Sequence, residues 1–155
     1  MTEQRTKVKI CGITNANDAQ LSAGLGASAL GFNFYKKSPR YVLPDNAKQI
    51  CEQLPAGVLK VGVFVNESFN EILEIAEKVG LDAVQLHGEE LPGFAADLKR
   101  QSDLVIIKAF RVSPGFVAAA GLTIIEGRGI LPTDDATGER VALIDDVFAR
   151  REWPG

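Results

Sequence analysis

The chain has 155 residues, 46% of them apolar and 24% charged, with a net charge of −3; this suits one folded domain around a single core and excludes a disordered chain. With no basic stripe interleaved with aromatics, that charge balance also excludes the electrostatic footprint of a nucleic-acid binder. No apolar run approaches the roughly 18 residues of a membrane helix and none follows the charged N-terminus, so neither a membrane span nor a leader is expected, and the expected location is the cytoplasm.

The first apolar run, "VKICG" at 8–12, reads as a strand ending on a cysteine. "NANDAQLSAGLG" follows with a helical period, Asn15 or Asn17 as its N-cap and Gly24 and Gly26 at its end. A second strand, "ASALGFNFY" at 27–35, runs into the polar "YKKSPRYV" and then into "PDNAKQICEQLP", a helical segment bounded by prolines. After the third strand, "VLKVGVFV" at 58–65, "ESFNEILEIAEKVG" places Phe69, Ile72, Leu73 and Ala76 on one helix face and stops at Gly80. "LDAVQLHG" at 81–88 and "DLVIIKAF" at 103–110 complete five strands. Their centres recur about every 20–30 residues, the spacing of one βα unit.

Strands that are almost continuously apolar, alternating with helices, predict a parallel sheet covered by helices. Both a closed (β/α)8 barrel and an open doubly wound sheet satisfy the pattern. The absence of G-x-G-x-x-G or G-x-x-x-x-G-K-[ST] after the first strand counts against a dinucleotide-binding sheet. In either architecture ligands bind beyond the C-terminal strand ends. The residues falling there are Cys11, the stretch from Asn33 to Arg40, Asn66, the stretch from His87 to Glu90, and Arg111.

Cys11 has two readings. A thiol at the end of a buried strand is most often a core residue; facing a site mouth, with Lys9 or Arg40 nearby to favour its thiolate, it is a base or nucleophile. Cys51, inside "AKQICEQL", reads as core. Two cysteines far apart and a single histidine, His87, predict neither a disulfide nor a metal site. Arg40, held by Pro39 and flanked by Tyr41, suits a planar bidentate contact with a carboxylate or phosphate on a small anionic substrate. A solvated charged loop is the alternative. His87 is placed either to shuttle protons or to cap the next helix, with the capping role favoured.

Taken together, "KICGIT", "GFNFYKKSPRYV", "VGVFVN", "VQLHGEE" and "IKAFRV" occur in the order and spacing of the phosphoribosylanthranilate isomerase family, and over about residues 7–112 the chain resembles its members. The resemblance implies a (β/α)8 TIM barrel and an Amadori rearrangement of N-(5-phosphoribosyl)anthranilate to the 1-deoxyribulose 5-phosphate isomer in tryptophan biosynthesis, without cofactor or metal. It implies Cys11 as the general base that removes the C2′ proton, Arg40 facing the anthranilate carboxylate, and His87 among the substrate-binding groups. The partner so implied is a phosphorylated, carboxylated small molecule.

After "AFRV" the pattern departs from the family, which continues with a strand ending in the acidic aspartate and then with Gly-rich phosphate loops. Asp134 and Asp135 are the candidates for the acid, and the phosphate site has no clear counterpart. At about 24 residues per unit, eight units need about 190 residues, so the expectation is an incomplete barrel of five to six βα units, a single domain over 1–155 whose stretch 113–155 is an atypical tail. Two alternatives accompany the isomerase: a truncated or frame-shifted inactive fragment of it, and an open α/β protein binding a phosphorylated ligand. Uncovered strand edges would favour self-association.

Overall fold

The computed structural model describes residues 7–110. Nine elements alternate along them: β1 (Lys9–Cys11), α1 (Ala16–Gly24), β2 (Ala29–Asn33), α2 (Pro44–Cys51), β3 (Leu59–Phe64), α3 (Phe69–Val79), β4 (Ala83–Leu86), α4 (Pro92–Gln101) and β5 (Val105–Lys108). Each expected strand appears, trimmed at its ends. Arg111, Asp134, Asp135 and the tail from 113 lie outside the described residues, as does any helix following β5.

Local chemistry sets the helix limits. Asn15, not Asn17, caps α1, its side chain accepting the N–H of Asp18 at 2.9 Å. Pro44 and Pro92 open α2 and α4, where a missing N–H costs nothing. In α3, Ser68 accepts the Glu71 N–H at the start, and Gly80, at φ +71°, ends the helix in the left-handed conformation. The buried face of α3 is Ile72, Ile75, Ala76 and Val79, while the expected Phe69 and Leu73 are half-buried at its margin. α4 supplies the helix expected after the fourth strand, from a segment, "LPGFAADLKRQ", whose Pro92 and Gly93 come at its start.

All five strands are parallel and lie in the order β1-β2-β3-β4-β5. A right-handed crossover that always advances one strand in the same direction puts every helix on the same face of the sheet. The side chains obey this. One core layer joins Leu30, Phe32, Phe64, Val84 and Leu86 of the strands to Ala19, Ile50, Ile72 and Leu98 of the four helices. The opposite face carries a separate small layer of strand residues only: Ala29, Val61, Ala83 and Ile107. This corrects the open alternative: a doubly wound sheet reverses its strand order and carries helices on both faces, and here there is no reversal.

The first strand departs from the expected buried run. All three residues of β1 are exposed, and among the described residues it pairs with β2 alone. Among the described residues no helix is long and apolar enough to cross a membrane.

Candidate active site

Each strand delivers the chain to the same end of the sheet, and the strand-end residues named above that fall within 7–110 lie there. On β1, Lys9 and Cys11 pair with Ala29 and Gly31 and share their pleat, which puts both side chains on the helix-free face. Gly31 makes room for them. A β-carbon at Gly31 would stand 2.8 Å from the Cys11 sulfur and 3.2 Å from the Lys9 ammonium nitrogen. Cys11 is an exposed, free thiol, so the core reading fails for it, whereas Cys51 is buried as expected.

Arg40 arrives from the loop after β2. That loop is built on Asn33, whose side-chain oxygen accepts the Tyr35 N–H at 2.9 Å and whose amide nitrogen donates to the Ser38 hydroxyl oxygen at 3.1 Å. The same Ser38 oxygen accepts the Arg40 N–H at 3.2 Å, and the Asn33 carbonyl accepts the Val42 N–H at 3.0 Å. So tied, the loop lays the Arg40 side chain against Gly12: a β-carbon there would meet the arginine Cδ at 2.5 Å and Nε at 3.0 Å. Gly12 also has φ +87°, where other residues are strained. The residue directly after the thiol is thus the one the arginine crosses.

His87 is the first residue beyond β4; its N–H donates to the Phe64 carbonyl at 2.8 Å and its side chain is exposed. The expected capping role does not hold: α4 begins at Pro92, and its capping residue, Leu91, makes no side-chain bond. Below His87 lies a group that the sequence only half disclosed. The Glu90 carboxylate, 3% exposed, accepts from the Lys108 ammonium at 2.7 Å, the Asn66 N–H at 2.8 Å and the Gly88 N–H at 3.0 Å. Lys108 also donates to the Gly88 carbonyl at 2.6 Å, and the Asn66 side-chain oxygen accepts the Glu89 N–H at 2.7 Å. Burial pushes the Glu90 carboxyl up, but the Lys108 bond and the backbone N–H groups outweigh it and hold the carboxyl below its ordinary range. Lys108, inside an apolar run, carried no signal of its own.

Among the described residues no three His, Cys, Asp or Glu side chains gather as a metal site requires. What the strand ends present instead is a thiol, two cations and an imidazole, a set suited to proton transfer on an anionic molecule.

A singly wound parallel sheet with polar side chains gathered beyond its C-terminal ends defines a (β/α)-barrel protein whose site lies at the barrel mouth. The family is more particular. Residues 8–121 match the model of the N-(5'-phosphoribosyl)anthranilate isomerases, and the chain belongs to that family. It is 51% identical over 107 residues to the N-(5'-phosphoribosyl)anthranilate isomerase of Thermotoga neapolitana, covering 69% of this chain and 51% of that one. To the enzyme of Pelobacter propionicus it is 53% identical over 106 residues, covering 68% and 49%. The crystal structure of the Thermotoga maritima phosphoribosyl anthranilate isomerase superposes with a TM-score of 0.70 at 46% identity, over 75% of this chain and 56% of that one. A structure of such an isomerase in complex with reduced 1-(o-carboxyphenylamino)-1-deoxyribulose 5-phosphate gives the same TM-score and identity, over 75% and 59%. The chain spans about half the length of the curated relatives it matches.

Proposed function

We propose that this chain provides the N-terminal βα units of an isomerase that converts N-(5-phosphoribosyl)anthranilate to its 1-deoxyribulose 5-phosphate isomer, a cytoplasmic step of tryptophan biosynthesis. The observation that carries the reading is the packing of Arg40 over Gly12, beside Cys11. A carboxylate held by the guanidinium would lie at the strand end that carries the thiol, as the two assigned roles require.

The reaction moves protons and no other atoms. A general acid protonates the furanose ring oxygen, the C1′–O bond breaks, and the sugar opens to a Schiff base. As thiolate, Cys11 takes the C2′ proton; the C2′–H pair becomes the C1′=C2′ bond of the enolamine, the C1′=N π pair moves to nitrogen, and tautomerisation gives the ketone. Arg40 holds the anthranilate carboxylate and His87 contacts the substrate from the end of β4. Oxidation at C2′ to the ketone is balanced by reduction at C1′ within the same molecule, so the step needs no external oxidant or reductant. The acid, for which Asp134 and Asp135 are the sequence candidates, lies outside the described residues.

The test is loss of anthranilate fluorescence when phosphoribosylanthranilate is added to the purified chain. Turnover abolished by Cys11→Ser and weakened by Arg40→Ala supports the reading. Turnover indifferent to Cys11 overturns the mechanism, and no turnover by the unsubstituted chain overturns the activity.

A further inference from the structure

The peptide after the only histidine of the chain is locked on three sides. The Gly88 N–H donates to both Glu90 carboxylate oxygens, at 3.2 and 3.0 Å, and its carbonyl accepts from Lys108 at 2.6 Å. On the remaining side Asn66 leaves no room for a side chain: a β-carbon on Gly88 would stand 2.7 Å from the Asn66 backbone nitrogen. Asn66 is itself in a left-handed conformation, φ +51°, with its N–H on Glu90 and its side chain on Glu89. One carboxylate therefore fastens the loops after β3 and β4 to the end of β5.

We infer that Glu90 is a positioning residue of the barrel mouth: with Lys108 it fixes the Gly88 peptide, and through that peptide it sets the direction in which His87 meets the substrate. Glu90 touches no substrate. Being almost wholly enclosed and held as a carboxylate, it acts as a rigid post. The inference rests on the proposed place of His87 at the mouth.

A single histidine gives one pair of imidazole C–H signals in the proton NMR spectrum, so these signals identify themselves. Glu90→Gln is expected to move these signals and to speed amide exchange at Gly88 and Asn66 by roughly ten- to a hundredfold, the equivalent of the charge-assisted bonds removed. Lys108→Met should move the same signals, and the double variant should move them little further, because both changes break one unit. Ile72→Val, which loosens the core under α3 without touching the loop, should leave them in place; movement there as large as in Glu90→Gln overturns the inference. So do unmoved signals in Glu90→Gln. If that variant does not fold, the unsubstituted chain still decides: Gly88 and Asn66 amides that exchange as fast as Glu67 refute the clamp, and marked protection supports it. Titration with anthranilate separates the two readings. If it leaves the imidazole signals unmoved, the substrate role of His87 fails and the clamp stands.

Discussion

The side chain of Arg40 fills the space in which a side chain on Gly12 would have to begin. Gly12→Ala therefore asks the backbone to hold alanine at φ +87° and pushes the guanidinium off its seat. The strain costs about 1–3 kcal/mol. The expected outcome is a lower denaturation midpoint together with weaker substrate binding, and a variant that loses neither would show that Arg40 does not rest there in solution.

Arg40→Ala should weaken binding of the carboxylated substrate by about 1.5–3 kcal/mol, the worth of a hydrogen bond to a charged group. An analogue lacking the carboxylate should hardly notice the change. Equal losses for both ligands, measured by calorimetry, would reassign Arg40 to support of its loop.

The two thiols should separate cleanly under alkylation. Cys51 is enclosed between α2 and the sheet, and burial pushes it up to about 12, so that it stays protonated and unreactive. Cys11 is exposed. Iodoacetamide at about pH 8 should leave one adduct on the folded chain, mapped by mass spectrometry to Cys11, and two on the unfolded chain. Modification of Cys51 under native conditions would mean that the helix layer opens.

Glu90 links stability to pH with a definite sign. Its folded value lies below its ordinary 4.5, so its contribution is complete above that pH and is lost as the pH falls through the lowered folded value. Urea unfolding at neutral pH and at successive steps below about 4.5 should show the unsubstituted chain losing more stability than Glu90→Gln. Parallel curves for the two would remove Glu90 from the acid response.

Phe32 is wholly enclosed between β2 and the helices. Phe32→Ala should cost about 3–5 kcal/mol through lost transfer energy and the cavity left behind. A calorimetric melt shifted only slightly would show that the helix layer collapses into the gap.

The strands were legible because each is an apolar, β-rich run closed by polar or turn residues, and the start of α2 at Pro44 and the stop of α3 at Gly80 follow from backbone chemistry. The exposure of β1 was not, since Ile10 looks as apolar as Val61 and Val63; what differs among the described residues is the number of paired strands, one for β1 and two for β3. Cys11 and Arg40 stood out by residue type and by position at strand ends, and by likeness to a family, but the seat of Arg40 on Gly12, the residue after the thiol, depends on the Asn33–Ser38 bond of the loop. Lys108 escaped notice for a similar reason. Its partner is 18 residues away, and hydropathy counts a lysine in "VIIKAF" as a flaw in a strand rather than as half of an ion pair.

The bare Cα of Gly31 sits in the middle of a strand, where a branched residue would strengthen the sheet. Any such gain would evict the thiol and the ammonium from β1. A search for hardier variants would find this position tempting and ruinous at once, so a library built for thermostability should hold residue 31 constant. Drift is closed there by a chemical demand from a neighbouring strand, and tolerance to substitution along β2 should dip at that one position although the backbone would accept almost any side chain.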